Sequence, residues 1–307
     1  ISFIRNDSWM IGALIFANIV QAIAFAFSRP ANKAIITELV EKDELVLYNS
    51  RLELVMQVVS VSSPVLSFLV LQFASLRITL VLDALSFFLA FGLVALLPKK
   101  EEKTMGEKKL TFRVIFSDIK EGVHYILKQK EIFFLLVMAS SVNFFFAAFN
   151  YLLPFSNQLY GVQGAYATIL TMGAIGSIVG ALLASKIKAS MEMLLFLLTL
   201  TGLGVMIMGF TLPSYLAFSG NLVCELFMTI FNIHFFTQVQ TKVDGEYLGR
   251  VLSSIYTLAI LFMPIATGLM TWLPSVHLYS FLIIGLGVVA LSFLALGYVR
   301  THFEKET

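Results

Sequence analysis

Nine stretches of the chain stay apolar for long enough to cross a hydrocarbon core of about 30 Å, which takes roughly 20 residues of helix. They run Trp9 to Phe27, Leu54 to Phe73, Ile78 to Leu97, Ile132 to Phe155, Tyr166 to Ala184, Met193 to Leu212, Tyr215 to Val239, Val251 to Leu273 and Leu278 to Val299, and none holds a Lys or Arg. Their apolar character is continuous, whereas a barrel strand would be only about 9 to 11 residues long with polar residues alternating. The pattern therefore predicts nine membrane-crossing helices. One long polar stretch, Pro98 to Lys130, interrupts the series. It begins with a charged run, Lys99 to Lys109. An apolar stripe of Phe112, Ile115, Phe116, Ile119, Val123, Ile126 and Leu127 follows at three- and four-residue steps. That spacing predicts an amphipathic helix lying along a membrane face, a reading equally compatible with a helix that only links two bundles. His124 is expected to face solvent.

Composition turns the pattern into a class. Of 307 residues 58% are apolar and 13% charged, and 29 are Phe. A soluble domain carries roughly twice that share of charge. A single cysteine, Cys224, permits no internal disulfide, and a net charge of +2 gives no footprint for nucleic acid. His124, His234, His277 and His302 have no metal-ligand spacing among themselves or with Cys224. No Gly-rich phosphate loop and no enzyme constellation is visible. The chain is thus read as a non-enzyme without metal or cofactor, drawing its energy from a gradient.

Threading the nine spans alternately through a bilayer puts all of the 21 Lys and Arg residues except Arg5 and Arg77 on one side. Positive charge is retained in the cytoplasm, so the central loop and the C-terminus are placed there and the N-terminus outside. The expected location is the plasma membrane, crossed many times. An internal repeat is also present. Arg51 precedes Pro64 in one apolar span much as Arg250 precedes Pro264 in another, and a short acidic turn stands before each Arg, Glu41 to Leu45 and Asp244 to Leu248. Six spans follow Lys130 and only one precedes Arg51, so the repeat predicts three further spans upstream of Ile1, twelve in all. Residues 1–97 are then the remainder of an N-terminal half, 98–130 a cytoplasmic central loop with its amphipathic helix, and 131–307 a six-helix C-terminal half.

Two such halves, each with an Arg-bearing turn after its fourth helix, resemble the major facilitator superfamily of secondary transporters. Ser28-Arg29-Pro30-Ala31, Glu121-Gly122 and Glu246-Tyr247-Leu248-Gly249-Arg250-Val251 look like its macrolide-efflux and drug:proton antiporter branch. The resemblance implies an all-α polytopic membrane protein, a major-facilitator-type helical bundle with nine of twelve transmembrane helices present. It also implies a central cavity lined by the helices that carry Asn18 and Gln21, Asn143 and Asn150, and Glu225. Gly180-Ala181-Leu182-Leu183-Ala184-Ser185-Lys186 echoes the family's loop motif, with Ser185 where an Asp is expected.

Ionisable groups inside a span are costly and point to function. Glu225 lies near the middle of its span and shares a helical face with Thr229 and Asn232. Asn18 with Gln21, and Asn143 with Asn150, make comparable polar stripes. These seven residues are the candidate substrate-cavity group, and interhelical hydrogen bonding is their alternative role. Glu225 is the first candidate for proton coupling, because charge is costly there and its exposure would change as a cavity opens. Asp83 is the second, closer to a span end, where a structural partner suffices. Arg51, Glu53, Pro64, Arg250 and Pro264 are candidate gate or hinge residues, and Pro154 would bend its helix near a span end. Gly176, Gly180 and Ala184 make a small-residue stripe suited to close packing, and His234 is expected to hydrogen-bond. Phe144, Phe145, Phe146, Phe149, Tyr151, Phe227, Phe231, Phe235 and Phe236 suggest aromatic cavity walls for a large lipophilic substrate. The expectation is a secondary active permease exporting a drug or macrolide by proton-coupled alternating access. The alternatives are a nutrient uptake permease and a scaffold that transports nothing. Partners are the substrate and membrane lipids, with no nucleic acid and no obligatory protein.

Overall fold

The structure, a computed structural model, describes residues 7–73, 76–96, 112–188, 190–211, 213–273 and 275–302. Within them the regular elements are helices: α1 (Asp7–Leu39), α2 (Leu45–Phe73), α3 (Leu76–Ala95), α4 (Phe112–Lys128), α5 (Lys130–Leu152), α6 (Ser156–Tyr160), α7 (Ala165–Ala184), α8 (Met191–Met208), α9 (Ser214–Lys242), α10 (Gly245–Trp272) and α11 (Tyr279–His302). Most of the described residues of each predicted apolar stretch fall on one long helix. Seven of these, α3, α5 with its continuation to Tyr160, and α7 to α11, are long and apolar enough to cross a membrane among the described residues. The chain is thus a multi-pass helical membrane protein. The charged run Lys99 to Lys109 lies outside the described residues.

Several helices outrun the apolar stretch that predicted them. The helix α9 continues to Lys242 and α10 starts at Gly245, before the first apolar position. Backbone hydrogen bonding does not stop where the hydrocarbon does, so polar residues extend the helix beyond it. Pro154 has a sharper effect. It sits at the start of a 3-10 turn, Leu153–Phe155, which separates α5 from the short α6. A proline offers no N–H to the preceding turn. Gly161 (φ +64°) then closes α6 and Gly164 (φ +84°) precedes α7, two left-handed conformations that a side chain would strain.

Close packing unites the second half. The helix α9 lies between α7 and α8, α8 packs on α11, and α5 packs on α10 and α11. Glycines permit the approach. A Cβ on Gly176 or Gly180 of α7 would collide with the carbonyl oxygens of Leu222 or Leu226, and one on Gly220 would lie 2.6 Å from the carbonyl oxygen of Gly204. Between α7 and α9 this is the packing the small-residue stripe predicted. Two apolar clusters fill the bundle. One, with Leu195, Leu198, Ile230, Val239 and Val251, sits toward the end where α8 and α10 begin. The other, with Phe149, Ile169, Met208 and Phe281, sits toward the opposite end. The first three helices join through α2 on α7 and α9, and α1 on α10. On α3 every residue from Val81 to Ala95 is exposed.

Ion pairs gather at the first of those ends: Lys242 with Glu131, Arg300 with Glu192 at 2.9 Å, and Arg250 with Glu121 at 2.9 Å. This basic end also receives α4. Its Ile126 is fully buried against the core, and Tyr125 stacks on Tyr247 at 4.8 Å between ring centres. The Tyr125 hydroxyl donates to Asp244 Oδ2 at 3.1 Å. Burial pushes this phenol up from its usual value, so it keeps its proton and remains a donor. A Cβ on Gly122 would lie 2.6 Å from Ser254 Oγ and 2.7 Å from the carbonyl oxygen of Arg250. Glu121-Gly122 and the Tyr247 to Val251 turn, far apart in sequence, are therefore one contact, and α4 is clamped to the start of α10. His124 faces outward from it.

Candidate functional site

Glu225 is half-buried on α9, directed at α7. Ser177 Oγ donates to Glu225 Oε2 at 3.3 Å. One turn earlier, Asn221 Nδ2 donates to the carbonyl oxygen of Ile169 at 2.8 Å, while Asn221 Oδ1 is buried with no hydrogen-bond partner among the described residues. Gly173 makes room for both side chains, since a Cβ there would press on the Asn221 amide and on Glu225 Cγ. One turn later Thr229 is buried against Gly180. A carboxyl, a hydroxyl and an amide thus share one narrow seam between two helices, where buried polar groups need each other because water is scarce.

Among the described residues, the other predicted side chains lie outside this hydrogen-bonded group. Asn232 is half-buried on α9, Asn143 Nδ2 donates to the carbonyl oxygen of Ala139 in its own helix at 2.9 Å, and Asn150 and Gln21 are exposed. Asn18 and Pro64 fall on α1 and α2, and their side chains lie outside the described residues. Asp83 is exposed on α3. Glu53 is half-buried on α2 and accepts from Gln57 Nε2 at 3.0 Å, within electrostatic reach of Lys33, Glu225 and Tyr256. Arg51 is exposed, its guanidinium 5.8 Å from the Tyr48 ring centre, and Arg250 pairs with Glu121. Pro264 lies within α10, exposed. His234 Nε2 bonds the carbonyl oxygen of Ala184 at 3.0 Å, tying α9 to the end of α7. Of the aromatic residues, Phe149, Phe231 and Phe235 are buried in the cores, packing against other rings. They are structural walls of the bundle.

A second polar group joins α1 and α2 to α9 near the basic end. Lys33 Nζ donates to Asn49 Oδ1 at 3.2 Å and sits 4.9 Å from the Phe236 ring centre. Asn49 Nδ2 donates to Gln240 Oε1 at 2.7 Å and to Thr237 Oγ1 at 3.2 Å, and Gln240 Nε2 donates to the carbonyl oxygen of Lys33 at 2.7 Å. Asn49 is fully buried and Gln240 nearly so. These four residues escaped the sequence reading because each stands near the polar end of a helix, where a polar residue is unremarked. Asn49 and Gln240 are buried amides, and each satisfies its partners across the seam; only the fold reveals the pairing.

Among the described residues no group of three or more His, Cys, Asp and Glu is arranged to hold a metal ion. Comparison with known proteins adds an independent view. The family model of the Major Facilitator Superfamily matches residues 1–259. Macrolide efflux protein A of Enterococcus faecalis is 25% identical over 276 residues, a match covering 84% of this chain and 80% of that protein. Macrolide efflux protein A of Streptococcus pyogenes is 26% identical over 276 residues, and there the match covers 84% of this chain and 64% of the relative. No solved structure matches the chain.

Proposed function

The chain belongs to the Major Facilitator Superfamily of membrane transporters, and on that premise we propose that it is a secondary active exporter of a lipophilic small molecule, driven by protons through alternating access. The observation that carries this reading is the polar network of half-buried Lys33 with buried Asn49, Thr237 and Gln240 between α1, α2 and α9. Hydrogen bonds of this kind can be exchanged for water when a seam opens, at a net cost of only about 1 kcal/mol each, whereas separating an apolar core of similar size is far more expensive. The network is thus suited to a contact that forms and breaks in each cycle.

The polarity of the ends supports the membrane orientation: the basic end, with the central loop and the C-terminus, faces the cytoplasm of a plasma membrane that nine helices cross. Glu225, in a seam with Ser177 and Asn221, is the coupling residue: it takes a proton from one side and releases it to the other as the seam's exposure changes. A macrolide or drug is the substrate class, on the strength of the two relatives' names and of the scarcity of charge along α5 and α9.

The test is accumulation of ethidium, a lipophilic fluorescent cation, in cells making the complete protein. Export lowers accumulation, and the effect disappears when a protonophore collapses the gradient or in Glu225→Gln. Raised accumulation would mean uptake instead. Unchanged accumulation across a wider panel that includes macrolides would mean a membrane protein without transport activity.

A further inference from the structure

The α7–α9 seam contains a buried acceptor whose chemistry restricts the kind of group that can serve it. Asn221 is 2% exposed, and its amide orientation is fixed because Nδ2 donates to the carbonyl oxygen of Ile169 at 2.8 Å. Turning the amide over would set oxygen against oxygen. Its Oδ1 is therefore committed as an acceptor, yet it is buried with no donor among the described residues. Leaving such a group unsatisfied costs about 1–3 kcal/mol.

Glu225 stands four residues on along α9, one turn away on the same face. Both side chains pack at Gly173, where an added Cβ would lie 3.2 Å from Asn221 Cγ and 3.1 Å from Glu225 Cγ. An ionised carboxylate accepts only, so it offers Asn221 Oδ1 nothing, while a protonated one has an O–H to give. Ser177 Oγ already serves Glu225 Oε2 at 3.3 Å, which leaves the other oxygen to carry the proton. Among the described residues Glu53 on α2 is a charged residue within electrostatic reach of Glu225, Cys224 is the titratable neighbour on α9, Tyr166 stands about one turn before Ile169 on α7, and Glu192 stands at the start of α8.

We infer that Asn221 is a positioning residue for the proton on Glu225: the protonated carboxyl donates to Asn221 Oδ1 and accepts from Ser177, which completes the seam's hydrogen bonding only when the proton is present. The inference rests on Glu225 as the coupling residue. In the cycle the proton adds to the free carboxylate oxygen, the new O–H points at Asn221, and its departure leaves the amide oxygen vacant again. The packing of α9 on α7 then depends on whether the proton is bound, which gives the proton a mechanical readout between two helices.

Infrared difference spectroscopy of the full chain in lipid nanodiscs, stepped in pH, tests both layers separately. A protonated-carboxyl C=O band that vanishes in Glu225→Gln identifies the Glu225 proton. Losing the donated hydrogen bond raises that stretch, so in Asn221→Leu, close in shape but without polar atoms, the band moves to higher frequency. Gly173→Ala retains every polar atom and displaces the amide, and it moves the band as well, which keeps the test decisive if Asn221→Leu does not fold. A Glu225 band unmoved in the variants that fold overturns the role of Asn221 and leaves Glu225 as the proton site. Absence of any band tied to Glu225 overturns the coupling residue itself, and the inference with it.

Discussion

Lys33 can stay half-buried near the basic end because its ammonium has both a carbonyl acceptor, Asn49 Oδ1, and the face of the Phe236 ring. Asn49 is the hub: it accepts from Lys33 and donates to Thr237 and Gln240, so its removal strands groups on α1 and α9 together. Polar contacts between membrane helices average only about 0.6 kcal/mol per pair, but stranding several buried partners raises the cost toward about 2 kcal/mol. Asn49→Leu is therefore expected to loosen the basic-end contact by a factor of about 30, whereas Thr237→Val, which removes one partner, shifts it about threefold. Labelling rates of a cysteine introduced at Ser50 measure the opening, and equal rates in the two variants would remove Asn49 as hub. In the sequence, Tyr48-Asn49-Ser50-Arg51 reads as an ordinary polar helix start. Nothing local separates it from a solvated turn, because what buries Asn49 is a partner almost two hundred residues away. Glu225 was legible for the opposite reason, as a carboxylate in the middle of an apolar run, conspicuous without any knowledge of its neighbours.

Among the elements, the central helix shows which of two visible contacts matters. The Arg250–Glu121 pair is partly exposed on both sides, and exposed pairs contribute roughly 0–1 kcal/mol. Gly122 beside it has no room for a side chain against Arg250 and Ser254. Overpacking costs about 1–3 kcal/mol, so Gly122→Val is expected to lower the thermal unfolding midpoint several-fold more than Glu121→Ala. Comparable shifts would mean the charge pair and not the close approach holds α4. The same logic covers the seam of α7 and α9. Gly176→Val drives a branched side chain into the backbone of α9 and is expected to destabilise more than Ala174→Val on a less buried face of α7, in the same unfolding measurement. Periodicity alone disclosed α4 to within a residue of its ends, because an amphipathic stripe with a polar flank is a strong local signal. Its docking partner was not disclosed. Both Glu121-Gly122 and the turn at Arg250 stand out singly in the sequence, and only the fold shows that they are one joint.

For the whole molecule, the described contacts between α1 and α2 and the second half run through α2–α7, α2–α9 and α1–α10, and the polar network closes them at the basic end. On the proposed alternating-access cycle, that seam is the one to part when the centre opens to the basic end. The side chains of Asn49 and Gln240 meet there directly, which places their helices within reach of a cross-link, and the native Cys224 is fully buried and so gives little background. A paired Asn49→Cys and Gln240→Cys variant is expected to cross-link readily in membranes and, once cross-linked, to lose ethidium export entirely. Reduction restores whatever export the uncross-linked variant retains, which separates the effect of the tether from the loss of the two amides. Geometry makes the experiment strict in one direction. A bridge fixes two α-carbons within about 7 Å, so a chain that still exports while tethered cannot be opening between α2 and α9, and the moving boundary would then have to lie elsewhere. The apolar runs made a multi-pass bundle legible from sequence because hydrocarbon imposes length and continuity on each helix separately. Which helices part company is a property of pairs, carried by a few buried polar atoms, and it becomes readable only once the pairs are in place.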